Sequence, residues 1–169
     1  QGVSSAASDV YKRQVHSYTG DQQLLDADHS DRYRARAAAL SMIPTTTGAA
    51  KAVGLVLPEL AGKLDGVAIR VPTPNVSAVD LVFEPINAIS AEEINQALSD
   101  AAAGALVGVL DVTAKPLVSI DLNGCPASSI VHLDQTRVMP DGMARVFSWY
   151  DNEWGFSKRM LDTAAAIPF

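Results

Sequence analysis

One histidine and a group of three arginines are candidates for catalysis or ligand binding in this 169-residue chain. His16 ends a short strand-like segment, and a histidine near neutral pKa can take a proton from a thiol or an alcohol. Arg32, Arg34 and Arg36 alternate, so in extended backbone their guanidinium groups would point the same way and could hold a phosphate. Composition alone leaves a structural histidine and a salt-bridged loop open as alternatives.

Two further features favour an anion site. Arg70 lies inside an apolar run, where a charge is unfavourable unless it is paired or faces a ligand. Thr45, Thr46, Thr47 and Gly48 precede a helix-like segment, where hydroxyls supply cap oxygens and free N–H groups favour an anion. The residues by themselves predict a domain that binds a small phosphorylated molecule, with His16 as a candidate base. A buried ion pair and an ordinary helix cap remain the structural alternatives.

Composition excludes several classes of function. The formal charge of −6 and the pI near 4.9 argue against a nucleic-acid surface. The sequence has no apolar run near the roughly 20 residues that span a bilayer, no metal-ligand spacing and no glycine fingerprint for nucleotides. Cys125 is the single cysteine, which fits a reducing, cytoplasmic location. His29 and His132 are interpreted as structural.

Periodicity and turn signals predict an α+β domain: a mostly antiparallel or mixed sheet covered by helices on one face. The predicted strands are 15–19, 67–71, 78–83, 106–112, 117–122, 128–133, 138 and 144–149. A capping box of Ser90 and Glu93 begins a helix that Gly104 ends, and further helices are expected over 49–57 and 152–167. Pro140-Asp141-Gly142 is a hairpin signal.

The ends of the chain differ from its middle. Residues 1–14 are polar and without period, and we interpret them as a disordered or non-native leader. Residues 15–151 form the predicted substrate-binding domain, in which the long polar stretch Gly20–Arg36 is expected to be a functional loop. Residues 152–169 are the predicted C-terminal helix.

Four runs resemble the phosphorylating glyceraldehyde-3-phosphate dehydrogenases in order and spacing, and the similarity spans about Val15 to Ala166. The runs are VHSYT (15–19), IPTTTGAAKAV (43–53), RVPTPNVS (70–77) and SWYDNEWG (148–155). The resemblance implies the catalytic half of a glycolytic enzyme that uses NAD and inorganic phosphate, and a homotetramer in the full-length protein. It also implies that the NAD-binding half is absent from this chain.

The resemblance assigns a role to each matching position. His16 matches the catalytic acid–base histidine, which pairs with a nucleophilic cysteine thiolate. The positions that match the C3 phosphate site are Thr19, Asp21 and Arg70. The positions that match the site of inorganic phosphate are Arg34, Thr47 and Gly48. Asn152 matches the asparagine that hydrogen-bonds the nicotinamide carboxamide, and Phe156 stands where tyrosine is common.

In the intact enzyme, the resemblance implies that the thiolate attacks the aldehyde of glyceraldehyde 3-phosphate. His16 then takes the hydroxyl proton as hydride moves to NAD, and phosphate releases 1,3-bisphosphoglycerate from the thioester. The family's nucleophile lies upstream of the histidine in a segment that this chain lacks, and Cys125 matches a remote loop. The fragment itself is therefore expected to be inactive, and Cys125 to be structural.

Two alternatives stay open. Erythrose-4-phosphate dehydrogenase shares the ending NEWGF (152–156), but we expect it to diverge at the TTTGAAK run. A non-catalytic oligomerisation or interaction module would need no nucleophile. If the last helix belongs against the absent half, Phe156, Met160 and Leu161 should be exposed in this chain.

Overall fold

The computed structural model describes residues 7–45 and 47–167, and eight strands of that part form one mixed sheet. The strands are β1 (Ala7–Ser17), β2 (Ile43–Thr45), β3 (Leu64–Val71), β4 (Ser77–Pro85), β5 (Leu110–Thr113), β6 (Ser129–His132), β7 (Arg137–Val138) and β8 (Ala144–Tyr150). The helices are α1 (Ala49–Val56), α2 (Ala91–Ala103) and α3 (Trp154–Ala166). The predicted α+β class with a mixed sheet is confirmed.

The sheet runs in the order β2-β3-β1-β4-β8-β6-β5, with β7 paired to β8. β1 pairs in parallel with β3 and antiparallel with β4, and β5 pairs in parallel with β6. The remaining pairs are antiparallel. This order places the end of β1, which carries His16, beside the end of β3 and the start of β4.

Helix α2 covers one face of the sheet. Its buried Ile94 packs on Val10, Phe83 and Ala144, which are register partners on three neighbouring strands. Alternate residues of paired strands share a face, so these side chains form one apolar layer. The predicted capping box begins α2: the Ser90 hydroxyl accepts from the Glu93 N–H at 3.2 Å, and the Glu93 carboxylate accepts from the Ser90 N–H.

The hairpin signal and the polar loop are confirmed. Residues 18–42 contain turns and bends but no helix or strand. β7 and β8 pair across the Pro140-Asp141-Gly142 turn, where Gly142 has φ +93°, a conformation that a residue with a Cβ rarely adopts. None of the described helices is both long and apolar enough to cross a bilayer.

Two predicted strands are wrong in part or in whole. Residues 117–122 were expected to be extended, but Ser119–Leu122 is a 3-10 turn whose start is fixed when the Asp121 carboxylate accepts from the Val118 N–H. Residues 106–109 form turns, with Gly108 at φ +77°, and only Leu110–Thr113 is a strand. In both segments, local hydrogen bonds outweigh a β-rich composition.

The start of β1 also corrects the sequence interpretation. Residues 7–14 were set apart as a leader, but they lie in β1 between β3 and β4, whereas residues 1–6 are outside the described part. Lys12 is the register partner of Leu81 on the face that carries Val10 and Phe83. Burial lowers the pKa of the Lys12 amine, because a charged amine is poorly solvated on an apolar face.

We expect Lys12→Met to raise the free energy of unfolding at pH 7 by about 1 kcal/mol. The folded-state pKa of Lys12 lies below its unfolded value, so its destabilising effect is complete at pH values below the folded pKa. The effect should fade as pH rises toward the unfolded pKa, and the two proteins should then converge. Urea unfolding at several pH values measures the difference. Lys63→Met, at an exposed lysine, is the control, and identical behaviour of both variants would contradict the burial of the Lys12 amine.

Candidate functional site

His16 lies near the end of β1, and one of its ring nitrogens is hydrogen-bonded to the backbone. Its Nδ1 lies 2.6 Å from the Ser17 carbonyl oxygen. A carbonyl oxygen only accepts, so in neutral His16 the proton is on Nδ1, and Nε2 carries the free lone pair. The imidazole meets the Tyr150 ring edge-on, with centroids 6.1 Å apart. His16 is thus held as an oriented base.

The surroundings of His16 favour its neutral form. Burial is the main factor that lowers its pKa, and the nearby charges of Arg70 and Lys12 lower it further. The hydrogen bond to the Ser17 carbonyl acts in the opposite direction but is outweighed. His16 is therefore predominantly neutral at pH 7, as a proton acceptor must be.

Arg70 is the register partner of His16 on β3. Its Nη1 donates to the Thr19 hydroxyl at 3.0 Å and lies 3.5 Å from the Gln22 side-chain oxygen. No carboxylate lies within salt-bridge distance of Arg70 in the described part of the chain, and its buried Nε has no hydrogen-bond partner there. The buried ion pair considered from sequence is therefore not what the described residues show. Burial and the charge of Arg34 lower the pKa of Arg70, which indicates a guanidinium short of negative charge.

Arg34 joins the polar loop to β2. Its Nη1 donates to the Asp21 carboxylate at 2.6 Å, and its Nη2 donates to the Thr45 hydroxyl at 3.0 Å. The hydrogen bond from Arg34 is the main reason that the pKa of the exposed Asp21 carboxyl is lowered. Asp21 thus neutralises Arg34 but forms no salt bridge to Arg70.

The expected parallel alignment of the three loop arginines is wrong. Residues 31–36 form turns, and the N–H groups of Arg34 and Ala35 both donate to the Asp31 carbonyl. Arg34 reaches Thr45, whereas Arg36 pairs with Asp26 at 3.0 Å on the surface. Alternation aligns side chains only in extended backbone, so one arginine of the triplet, Arg34, belongs to the site.

The threonine turn also differs from its expected use. The N-cap of α1 is Gly48, and no side-chain cap hydrogen bond is formed. Thr45 directs its hydroxyl to Arg34 instead. Thr47 and Gly48 lie at the start of α1, and Thr46 is outside the described residues. A helix start is in general compatible with an anion.

Asn152 lies between β8 and α3 in a dense polar network. The Ser77 hydroxyl donates to the Asn152 side-chain oxygen at 2.6 Å, and the Asn152 N–H donates to the Asn75 side-chain oxygen at 3.2 Å. No hydrogen bond from Asn152 Nδ2 to another described residue is found, so that amide is free to donate to a ligand. The adjacent Val76 has φ 65°, an outlier for a β-branched residue, which marks this turn as strained.

Asp151 anchors the same corner. Its buried carboxylate accepts from the Asn75 amide at 2.7 Å and from the Gly124, Glu153 and Trp154 N–H groups at 2.8 to 2.9 Å. Burial by itself raises the pKa of this carboxyl, but the four donors together outweigh it and lower the pKa. The carboxylate fixes the start of α3 against the loop that contains Asn75.

The other residues noted in the sequence lie apart from this site. Phe156 is 67% exposed on α3, and Met160 and Leu161 are exposed as expected. Cys125 packs against a second apolar cluster around Leu122, and no contact with His16 is found. His29 bonds the Asp31 backbone within its own loop, and His132 accepts from the Trp149 indole at 3.0 Å.

Three side chains at the site were not predicted. Gln22 is buried with an unpartnered Nε2, Ser77 is 1% exposed, and the Tyr150 ring meets the His16 ring edge-on. Ser77 and Tyr150 lie within runs that were noted only as wholes, and no periodicity distinguishes them. Gln22 lies three residues after Thr19 and directly after Asp21, and this closeness to two candidate residues is the one signal that could have found it. No group of three metal-ligating side chains occurs in the part that the structure covers.

Comparison with known proteins decides the family. Residues 7–152 match the family model described as glyceraldehyde 3-phosphate dehydrogenase, C-terminal domain. The chain belongs to the glyceraldehyde-3-phosphate dehydrogenase family. It is 67% identical over 153 residues to a glyceraldehyde-3-phosphate dehydrogenase of Cereibacter sphaeroides, covering 90% of this chain and 46% of that protein.

Two other relatives match a similar share of this chain. A Xanthobacter flavus glyceraldehyde-3-phosphate dehydrogenase is 66% identical, over 90% of this chain and 46% of its own length. The chloroplastic form A of Zea mays is 60% identical, over 89% of this chain and 37% of its own length. The chain therefore spans less than half the length of these curated relatives.

We expect Arg70→Gln to raise the pKa of His16, because it removes a neighbouring positive charge. In the wild-type chain the folded-state pKa of His16 is lowered, so its contribution to stability is present above the unfolded pKa and is lost as pH falls through the folded pKa. NMR titration of the His16 ring protons measures the shift. Arg137→Gln, at an exposed arginine of β7, is the control. An unchanged His16 pKa in Arg70→Gln would contradict the electrostatic coupling.

Asp151→Ala should lower the free energy of unfolding at pH 7 by about 3 kcal/mol, because it leaves several N–H donors without an acceptor. The carboxyl pKa is lowered in the folded state, so this stabilisation is present above the unfolded pKa and disappears as pH falls through the folded pKa. Chemical unfolding at pH 7 and in acid tests both parts. Asp141→Ala in the exposed hairpin is the matched control, and an equal loss in the two variants would contradict the role given to Asp151.

Proposed function

We propose that this chain is the substrate-binding part of an enzyme that oxidises glyceraldehyde 3-phosphate to 1,3-bisphosphoglycerate with NAD and inorganic phosphate. The observation that carries the proposal is the place of Arg70: beside His16, bonded to Thr19, and without a carboxylate partner among the described residues. A guanidinium of this kind favours a phosphate close to a base. The relatives' shared name supports the same activity.

Each proposed substrate group has a separate set of donors. Arg70 and Thr19 are the donors that suit the C3 phosphate of the aldehyde, and Asp21 accepts from the neighbouring Arg34. Arg34, Thr47 and the helix start at Gly48 suit inorganic phosphate, since Arg34 lies against β2 just before that helix. Two phosphate subsites would place the aldehyde carbon within reach of His16.

The chain's own residues suit proton transfer at the aldehyde carbon. The Ser17 carbonyl holds Nδ1–H of His16, so Nε2 is the atom that would take the proton of the substrate hydroxyl. The same protonated ring would stabilise a thiolate. Cys125 packs in an apolar cluster around Leu122 instead, so we expect the 169-residue chain not to turn over on its own.

Two described residues suit the nicotinamide end of NAD. Asn152 has a fixed side-chain oxygen and a free Nδ2, which suits donation to a carboxamide oxygen. Phe156 is exposed one turn into α3 and offers an apolar surface without a hydroxyl. NAD, when bound, would accept the hydride, while this chain would orient the ring.

Assembly and location are also proposed. The sheet face opposite α2 carries the exposed Tyr11 and Val67 and a chain of charges in which Asp80 pairs with both Arg13 and Arg145. This face supports the subunit contacts of a homotetramer in the full-length protein. A lone thiol at Cys125 supports a reducing compartment such as the cytoplasm, which cell fractionation would test.

A chimera tests the proposed substrate. Residues 15–167 would replace the matching part of the Cereibacter sphaeroides relative, so that the chain acts within a complete protein. Arg70→Ala should raise KM for glyceraldehyde 3-phosphate by roughly 10- to 100-fold, because a charge-assisted pair to phosphate is lost. KM for unphosphorylated glyceraldehyde should stay unchanged.

Arg137→Ala, at an exposed arginine far from His16, is the control. An equal effect of Arg70→Ala on both aldehydes would contradict phosphate recognition. Erythrose 4-phosphate as a third substrate distinguishes the alternative activity, since a higher kcat/KM on it than on glyceraldehyde 3-phosphate would favour that enzyme.

A further inference from the structure

Ser77 occupies the point where three strands and the segment before α3 meet. It is 1% exposed and is the register partner of Tyr150, at the start of β4. Its hydroxyl accepts from the Ser17 N–H at 3.0 Å and donates to the Asn152 side-chain oxygen at 2.6 Å. Ser17 directly follows His16, so one hydroxyl connects the proposed base to the proposed nicotinamide ligand.

The proton of the Ser77 hydroxyl has one acceptor among the described residues. A serine hydroxyl has one proton and two acceptor lone pairs. The Ser17 N–H occupies one lone pair, and the proton goes to the Asn152 side-chain oxygen. No other hydrogen bond from the Ser77 hydroxyl to a described residue is found.

This balance fixes which way the Asn152 amide points. If the side chain were flipped by 180°, its NH₂ group would face the Ser77 hydroxyl, and the Ser77 proton would lose the acceptor found for it. Because Ser77 is 1% exposed, the flip would leave a buried donor without an acceptor, which is unfavourable. Asn152 must therefore give its oxygen to Ser77 and keep Nδ2 available for a ligand.

We propose that Ser77 is a positioning residue that sets the orientation of the Asn152 carboxamide and thereby selects a hydrogen-bond acceptor, the carboxamide oxygen of the nicotinamide. This inference rests on the cofactor role proposed for Asn152. Ser77 does not touch the cofactor; its effect passes through Asn152. The strained φ of Val76 and the hydrogen bond from the Ser17 hydroxyl to the Val76 carbonyl, 2.9 Å, hold Ser77 at this place.

A double-mutant cycle in the chimera tests the inference. The measured quantity is the Kd for NAD in wild type, Ser77→Ala, Asn152→Ala and the double variant. We expect Ser77→Ala to weaken NAD binding by roughly three- to tenfold, the effect of one hydrogen bond. In the Asn152→Ala background, removal of the Ser77 hydroxyl should have no further effect, because its only route to the cofactor is gone.

Two variants separate positioning from folding. Ser99→Ala removes a serine that bonds the Asn95 carbonyl within α2, remote from Asn152, and should leave the Kd unchanged. Ser77→Cys keeps a similar shape with a weaker donor and should give an intermediate Kd. Thermal unfolding of each variant shows whether it is folded. If Ser77→Ala does not fold, the Kd of Ser77→Cys is compared with that of the wild type instead.

A cofactor-free measurement on the 169-residue chain tests the same step. The side-chain amide resonances of Asn152 should shift in Ser77→Ala and should not shift in Ser99→Ala. Unchanged resonances would overturn the inference.

The binding outcomes distinguish its failure from that of the proposed function. If Asn152→Ala weakens NAD binding but Ser77→Ala does not, the positioning role is wrong and the cofactor role stands. An equal factor for Ser77→Ala in both backgrounds would also overturn positioning. If Asn152→Ala leaves the Kd unchanged, the cofactor role itself is wrong, and the inference falls with it.

Discussion

The placement of β1 between a parallel neighbour, β3, and an antiparallel neighbour, β4, is the constraint on which the site depends. The parallel register sets His16 beside Arg70, and the antiparallel start of β4 sets Ser77 beside Ser17. Both contacts are made between paired strands, so neither depends on the conformation of a loop. The base and its cationic neighbour are thus fixed by sheet hydrogen bonds, and paired core strands are in general the segments of a protein that open least readily.

Arg70 and the arginines of the polar loop differ in whether they have a carboxylate partner. The chain is acidic overall, yet Arg70 has no salt bridge in the described residues, while Arg34 and Arg36 each have a carboxylate. An unpaired guanidinium beside a histidine lowers the pKa of that histidine and attracts an anion. One residue therefore serves both the proposed base and the proposed phosphate site.

The sequence predicted some features of the fold well and missed others for physical reasons. The Ser90 capping box, the turn at Gly142 and the polar loop depend on local hydrogen bonds, so their signals are local. The strand expected over 117–122 failed because one carboxylate, Asp121, closes a turn that composition does not show. The inclusion of residues 7–14 in β1 depends on pairing with distant strands, for which their polar composition gives no signal.

The four motifs in their fixed order are enough to identify the family, and with it the candidate residues His16, Arg70 and Asn152. The partners of those side chains depend on the fold. It separated Arg34 from Arg36, and it showed the Ser77 hydroxyl between Ser17 and Asn152. The type of a residue determines which hydrogen bonds its side chain can donate or accept. The partner that it contacts depends on the pairing of strands that are more than 50 residues apart in the chain.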